Sequence, residues 1–165
     1  ASDVYKRQVL LHELGHAVMA VREGVKVLSI TLFHLGGIAR VEKECTTAMG
    51  SLRIAAAGPL VSLSLALGLL GSSVPAGAVS PVLTVLLTQL GLLNLMLGVF
   101  NLLPGLPLDG GLILKALVWQ FSGSQKRGMQ VAAASGRARS SLLIVLGGLL
   151  LLQELAKFRL VFELI

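Results

Sequence analysis

Residues 9–20 read VLLHELGHAVMA, an apolar run that carries two histidines and a glutamate, His12, Glu13 and His16. The rest of the chain sets their meaning. Of its 165 residues, 55% are hydrophobic and 13% charged, and the mean hydropathy of +0.85 lies outside the range of ordinary soluble domains. Such a composition belongs to a membrane protein. From Ile54 to Leu114 the only side chain expected to be charged is Asp109, over a span that crosses a bilayer about twice at roughly 20 residues per helix. Ionisable groups at membrane depth are costly enough that function is their default explanation.

In an α-helix, residues four apart share a face, so His12 and His16 present two imidazoles to one ion. Glu13 is displaced about 100° around the helix, within reach of a water on that ion without being a ligand. This is the zincin arrangement, and zinc suits it because imidazole and carboxylate are its usual ligands and a catalytic site holds three protein ligands and a water. Zinc, if held there, would acidify a water toward neutral pH, and Glu13 would take its proton and later deliver one to the leaving amine. A third ligand is needed. Asp109, the isolated carboxylate of the apolar region, is the best candidate.

The chain around these residues divides by composition. Residues 1–8, ASDVYKRQ, are polar, resemble adapter-derived sequence, and are set outside the fold, leaving 9–165 as one membrane core. The apolar run at 9–21 is short for a spanning helix, which suggests a fragment that lacks part of this helix. Val25, Val27, Ile30 and Thr31, then Gly36, Gly37, Ile38 and Val41, predict a short hairpin or irregular β segment. Strong spans follow at 54–71 and 82–103, a shorter helix at 112–121, a basic loop at 122–140, and a short apolar run at 142–152 with an amphipathic tail. Arg22, Lys26, Arg40, Lys43 and Arg53 flank one side of the first spans, and Lys126, Arg127, Arg137 and Arg139 follow the short helix, whereas 72–81 has no Lys or Arg. Both basic segments are therefore expected on the cytoplasmic side, which puts His16 and Asp109 at comparable depth. The net charge of +6 reflects this topology rather than nucleic acid, because the basic residues are not interleaved with aromatics. The single cysteine, Cys45, excludes an intrachain disulfide.

The break PGLPLDGG at 104–111 has its own logic. Pro104 and Pro107 lack backbone donors, and Gly110 and Gly111 allow close backbone approach. Irregular backbone at membrane depth is tolerated only where protein buries it or a wet cavity borders it, and peptide hydrolysis needs such a cavity. Asp109 also stands where an N-cap would for the next helix. Asn101 is a candidate for a hydrogen bond to a strained carbonyl or to the oxyanion, with satisfaction of backbone freed by Pro104 as the alternative. Asn94 reads as a helix–helix hydrogen bond, and His34, in a β context that shares no face with the other histidines, reads as a loop residue.

The sequences LLHELGHAVMA and NLMLGVFNLLPGLPLDGG together resemble the site-2 proteases, intramembrane zinc metalloproteases marked by HExxH in one membrane helix and NxxPxxPLDG in a later one. Asn101, Pro104, Pro107, Leu108, Asp109 and Gly110 match the second motif position by position. GVKVLSITLFHLGGIARV resembles the family's LFxxGG hairpin and AAAGPLVSLSLAL its AGP helix. Residues 115–138 are similar to the subgroup that often carries cystathionine-synthase-type nucleotide-binding domains after the core. One departure is Leu112, where the family commonly has arginine after DGG, with Lys115 one turn on.

The resemblance implies one Zn2+ per chain held by His12, His16 and Asp109, Glu13 as general base, and cleavage of membrane-anchored proteins within or near a transmembrane segment. It also suggests that the hairpin, with Gly36 and Gly37, takes an unwound substrate strand by strand addition. The expected architecture is an all-α polytopic core in the cell membrane with a small β-hairpin insertion and the site toward the cytoplasm. Two rivals stand beside it. One is an inactive relative that binds transmembrane helices, against which the intact Glu13 argues; the other is a metal-binding or transport protein with an ion site at the broken helix, for which internal symmetry is lacking.

Overall fold

The computed structural model describes residues 2–33, 36–41 and 45–163, with side chains at 6–26 and 45–155. Helix α1 (Ser2–Arg22) contains the histidine run and starts seven residues before Val9, within the polar segment 1–8 that is expected to lie outside the fold. Gln8 from that segment accepts a hydrogen bond from the buried Asn94 amide at 2.8 Å, so the expected interhelical bond of Asn94 reaches α1. Strands β1 (Val27–Phe33) and β2 (Gly36–Val41) pair antiparallel, with Leu32 opposite Gly37 and Phe33 opposite Gly36. His34 lies outside the described residues.

Helix α2 (Ala48–Ala76) is opened by Thr47, whose hydroxyl accepts from the Gly50 N–H at 3.1 Å, satisfying one of the donors that a helix start leaves over. It packs against α1, against α3 (Pro81–Asn101) and against α4 (Asp109–Ser122), and is the element on which the site is assembled. Glu23 and Arg53, 3.1 Å apart, tie the end of α1 to the first turns of α2.

Helix α5 (Gln125–Glu163) is the main departure from the sequence reading. The basic loop expected at 122–140 is helical from Gln125 and continuous with the apolar run after it. Gln, Lys, Arg, Met and Ala are good helix formers, and the glycines that suggested a loop fall on a face packed against α4 and the preceding break, where small side chains serve close approach. Among the described residues three helices are long and apolar enough to cross a membrane: Ala48–Ala76, Pro81–Asn101 and Gln125–Leu155.

Candidate metal centre

Three elements bring the candidate ligands together. His12 and His16 project from α1 one turn apart, and the break between α3 and α4 delivers Asp109 to both. Asp109 Oδ2 lies 2.9 Å from His12 Nε2 and Asp109 Oδ1 lies 3.3 Å from His16 Nε2, while the two Nε2 atoms are 3.3 Å apart. One ligand atom from each residue falls within 4.8 Å of the others. Glu13, next to His12 in the chain, is buried at 8% exposure.

Asp109 is the first residue of α4 rather than its N-cap; Leu108 occupies the cap position and makes no side-chain cap bond. The reason is local. Leu108 is extended, at φ −79° and ψ 162°, so the helix turns begin at Asp109 and leave its carboxylate to face α1. Gly110 and Gly111 behave as the sequence suggested: a Cβ at Gly110 would collide with the Leu102 and Leu103 carbonyls, and one at Gly111 with the backbone of Gly105 and Leu106.

The second nitrogens of both imidazoles are engaged by α2. His16 Nδ1 lies 2.7 Å from the Ile54 carbonyl, which only accepts, so this nitrogen donates its N–H and Nε2 is the nitrogen left to face Asp109 and His12. His12 Nδ1 is 2.9 Å from Ser62 Oγ, buried at 0% exposure. Orientation of metal-binding histidines by a bond from the far nitrogen is the usual way such sites are built. Two imidazoles and a carboxylate, with one position left for water, match the ligand set of catalytic zinc.

Gly58 makes this approach possible. A Cβ there would overlap His16 Nε2 and lie 2.7 Å from His12 Nε2, so α2 passes the two imidazoles at a distance that only glycine allows. Ser62, Ile54 and Gly58 were not singled out from the sequence. The available signal was the AGP segment followed by polar Ser62, four residues after Gly58 and hence on the same face, within an apolar span.

Asn101 is placed at the end of α3, where its amide nitrogen donates to the Leu97 carbonyl at 3.0 Å, one turn back in its own helix. One of its donors is therefore already used. Lys115, the basic residue near the DGG segment, is buried at 4% exposure. Gly36 and Gly37 open β2, in a hairpin that contacts α1.

Comparison with known proteins agrees with this geometry. The profile of peptidase family M50 matches residues 7–78 and 72–146. A protein of Synechocystis sp. named for zinc metalloprotease activity is 46% identical over 143 residues, 86% of this chain and 37% of its own length. The zinc metalloprotease of Methanocaldococcus jannaschii is 40% identical over 145 residues, 84% of this chain and 40% of its own. The chain thus spans about two fifths of the length of these relatives. The solved site-2 protease from Methanocaldococcus jannaschii superposes with a TM-score of 0.71 at 37% identity, covering 90% of this chain and 67% of that one. With most of its length matched in sequence and in fold, this chain belongs to peptidase family M50, the site-2 protease family.

Proposed function

We propose that the chain forms the catalytic core of a zinc-dependent intramembrane endopeptidase, with His12, His16 and Asp109 as ligands of one zinc ion and Glu13 as general base. The observation that carries this is the convergence of the three donors from distant parts of the sequence, with both histidines oriented from behind by Ser62 and Ile54. Zinc, when bound, supplies a Lewis acid that polarises the scissile carbonyl and acidifies water. The remaining work is done by protein groups. Glu13 takes a proton from the attacking water as its oxygen bonds to the carbonyl carbon, and returns a proton to the amide nitrogen as the C–N bond breaks. Ser62 and Ile54 hold the imidazole planes, and the burial of Glu13 separates its carboxylate from bulk water.

The substrate class is a membrane-anchored protein cut within or near its transmembrane segment, which fits a site built among apolar helices. The protein is a multi-pass protein of the cell membrane with the site toward the cytoplasm, in line with the Lys and Arg that flank the spans. The longer relatives leave room for further domains in the whole protein, nucleotide-binding ones among them.

Zinc content of the detergent-purified chain tests the site. Near-equimolar zinc in the wild type, lost in His16→Ala and Asp109→Ala, is expected; zinc retained by Asp109→Ala would remove Asp109 from the ligand set. Glu13→Gln should retain zinc and lose cleavage of a membrane-anchored substrate, and undiminished cleavage would exclude Glu13 as the base.

A further inference from the structure

Helix α5 carries four basic residues in its first half. Lys126, Arg127 and Arg137 are exposed, whereas Arg139 is half-buried and turned onto the break that carries Asp109. Its Nη1 donates to the carbonyls of Pro104, at 3.1 Å, and Gly105, at 3.2 Å, and its Nη2 to that of Leu106, at 3.4 Å. Three consecutive carbonyls thus converge on one guanidinium. The break cannot easily supply these donors itself, because Pro104 and Pro107 have no N–H.

The same stretch of α5 meets the break backbone to backbone. Gly128, Ala132 and Gly136, spaced four apart, form one face of the helix that Arg139 extends. The Ala132 carbonyl accepts from the Leu106 N–H at 3.2 Å, and Ala132 is fully buried. Gly105 sits at φ +113°, where a Cβ would be 2.5 Å from the Gly136 nitrogen, and a Cβ on Gly136 would run into the Leu106 carbonyl. Two glycines therefore allow a contact that Arg139 and Ala132 fasten.

We propose that Arg139 is a positioning residue for Asp109: its fork fixes residues 104–106, three residues before the carboxylate, and so sets where Asp109 stands relative to His12 and His16. This rests on the reading of Asp109 as a metal ligand. Only Pro107 and Leu108 separate the clamped segment from Asp109. The Leu108 carbonyl is already bound to the Gly111 N–H at 2.9 Å, so the stretch transmits displacement instead of absorbing it.

The test uses the full chain in detergent, with Arg139→Gln, Arg139→Lys and, as a control on charge, Arg137→Gln, each compared for helicity and monodispersity. Cobalt(II) is the probe, read by its d–d absorption and by competition with a chelator. Arg137→Gln is expected to match the wild type. Arg139→Gln should bind cobalt about tenfold more weakly, with shifted d–d bands, as loss of a supporting contact does at metal sites. Arg139→Lys, which keeps the charge and not the planar fork, should fall between. Wild-type affinity and spectrum in a folded Arg139→Gln, or in Arg139→Lys should the glutamine variant not fold, would overturn the positioning role. A wild type that binds no cobalt would overturn the metal-site reading itself, and this inference with it.

Discussion

Each of the two histidines has its two ring nitrogens assigned to different partners, and this is what makes the candidate site specific at the residue scale. The Nδ1 atoms look back to α2 and the Nε2 atoms look forward to Asp109. Ser62→Ala removes the partner of His12 Nδ1 and is expected to weaken zinc binding by about 10–100-fold, checked by chelator competition. Gly58→Ala separates two effects. In an isolated helix, alanine would be favoured over glycine by about 1 kcal/mol. Here its Cβ would overlap His16 Nε2 and crowd His12 Nε2. We expect zinc content to fall by about tenfold or more while helicity is kept, since displacement of ligands outweighs a local gain in helix propensity. Zinc content equal to the wild type would show that α2 can move away from the histidines at little cost.

At the scale of elements, the site depends on one regular and one broken helix. The rise of α1 places His12 and His16 one turn apart, a geometry fixed by the helix itself. The break at 102–108 is what turns the chain so that Asp109 opens α4 facing α1. The hairpin of β1 and β2 stands beside α1, and the proposal that a substrate strand adds to its edge is tested at its glycines. Replacing Gly36 and Gly37 with valines should lower cleavage of a membrane-anchored substrate several-fold and leave zinc content unchanged. Unchanged cleavage would remove the hairpin from substrate binding.

For the whole molecule, the proposed orientation rests on the distribution of Lys and Arg along the chain. Cys45 is the single cysteine and lies between the hairpin and α2, in a segment flanked in sequence by Arg40, Lys43 and Arg53. A membrane-impermeant maleimide is therefore expected to modify Cys45 in inverted vesicles and not in intact cells. Modification from outside would reverse the assigned topology and put the site toward the opposite face. The apolar second half of α5, exposed from Leu142 to Leu155, is consistent with a helix that meets lipid along much of its length.

The membrane class, the one-turn spacing of His12 and His16 and the break before Asp109 are legible in the residues alone, because hydropathy, helical period and the absence of a proline N–H act over a few residues. The sequence also pointed to Asp109 as a partner of the histidines, since a lone carboxylate in an apolar region demands a reason. It did not determine α5, whose first half has the Gly and Ser content of a loop and is helical where its glycines pack on the break and on α4. Nor did it single out Ser62, Ile54, Gly58 or Arg139. A serine, a backbone carbonyl, a glycine and one arginine among several carry no mark of their own; their roles arise only when α2 and α5 are laid against α1 and the 102–108 break, because hydrogen bonds and close backbone contacts between distant segments are properties of the packing.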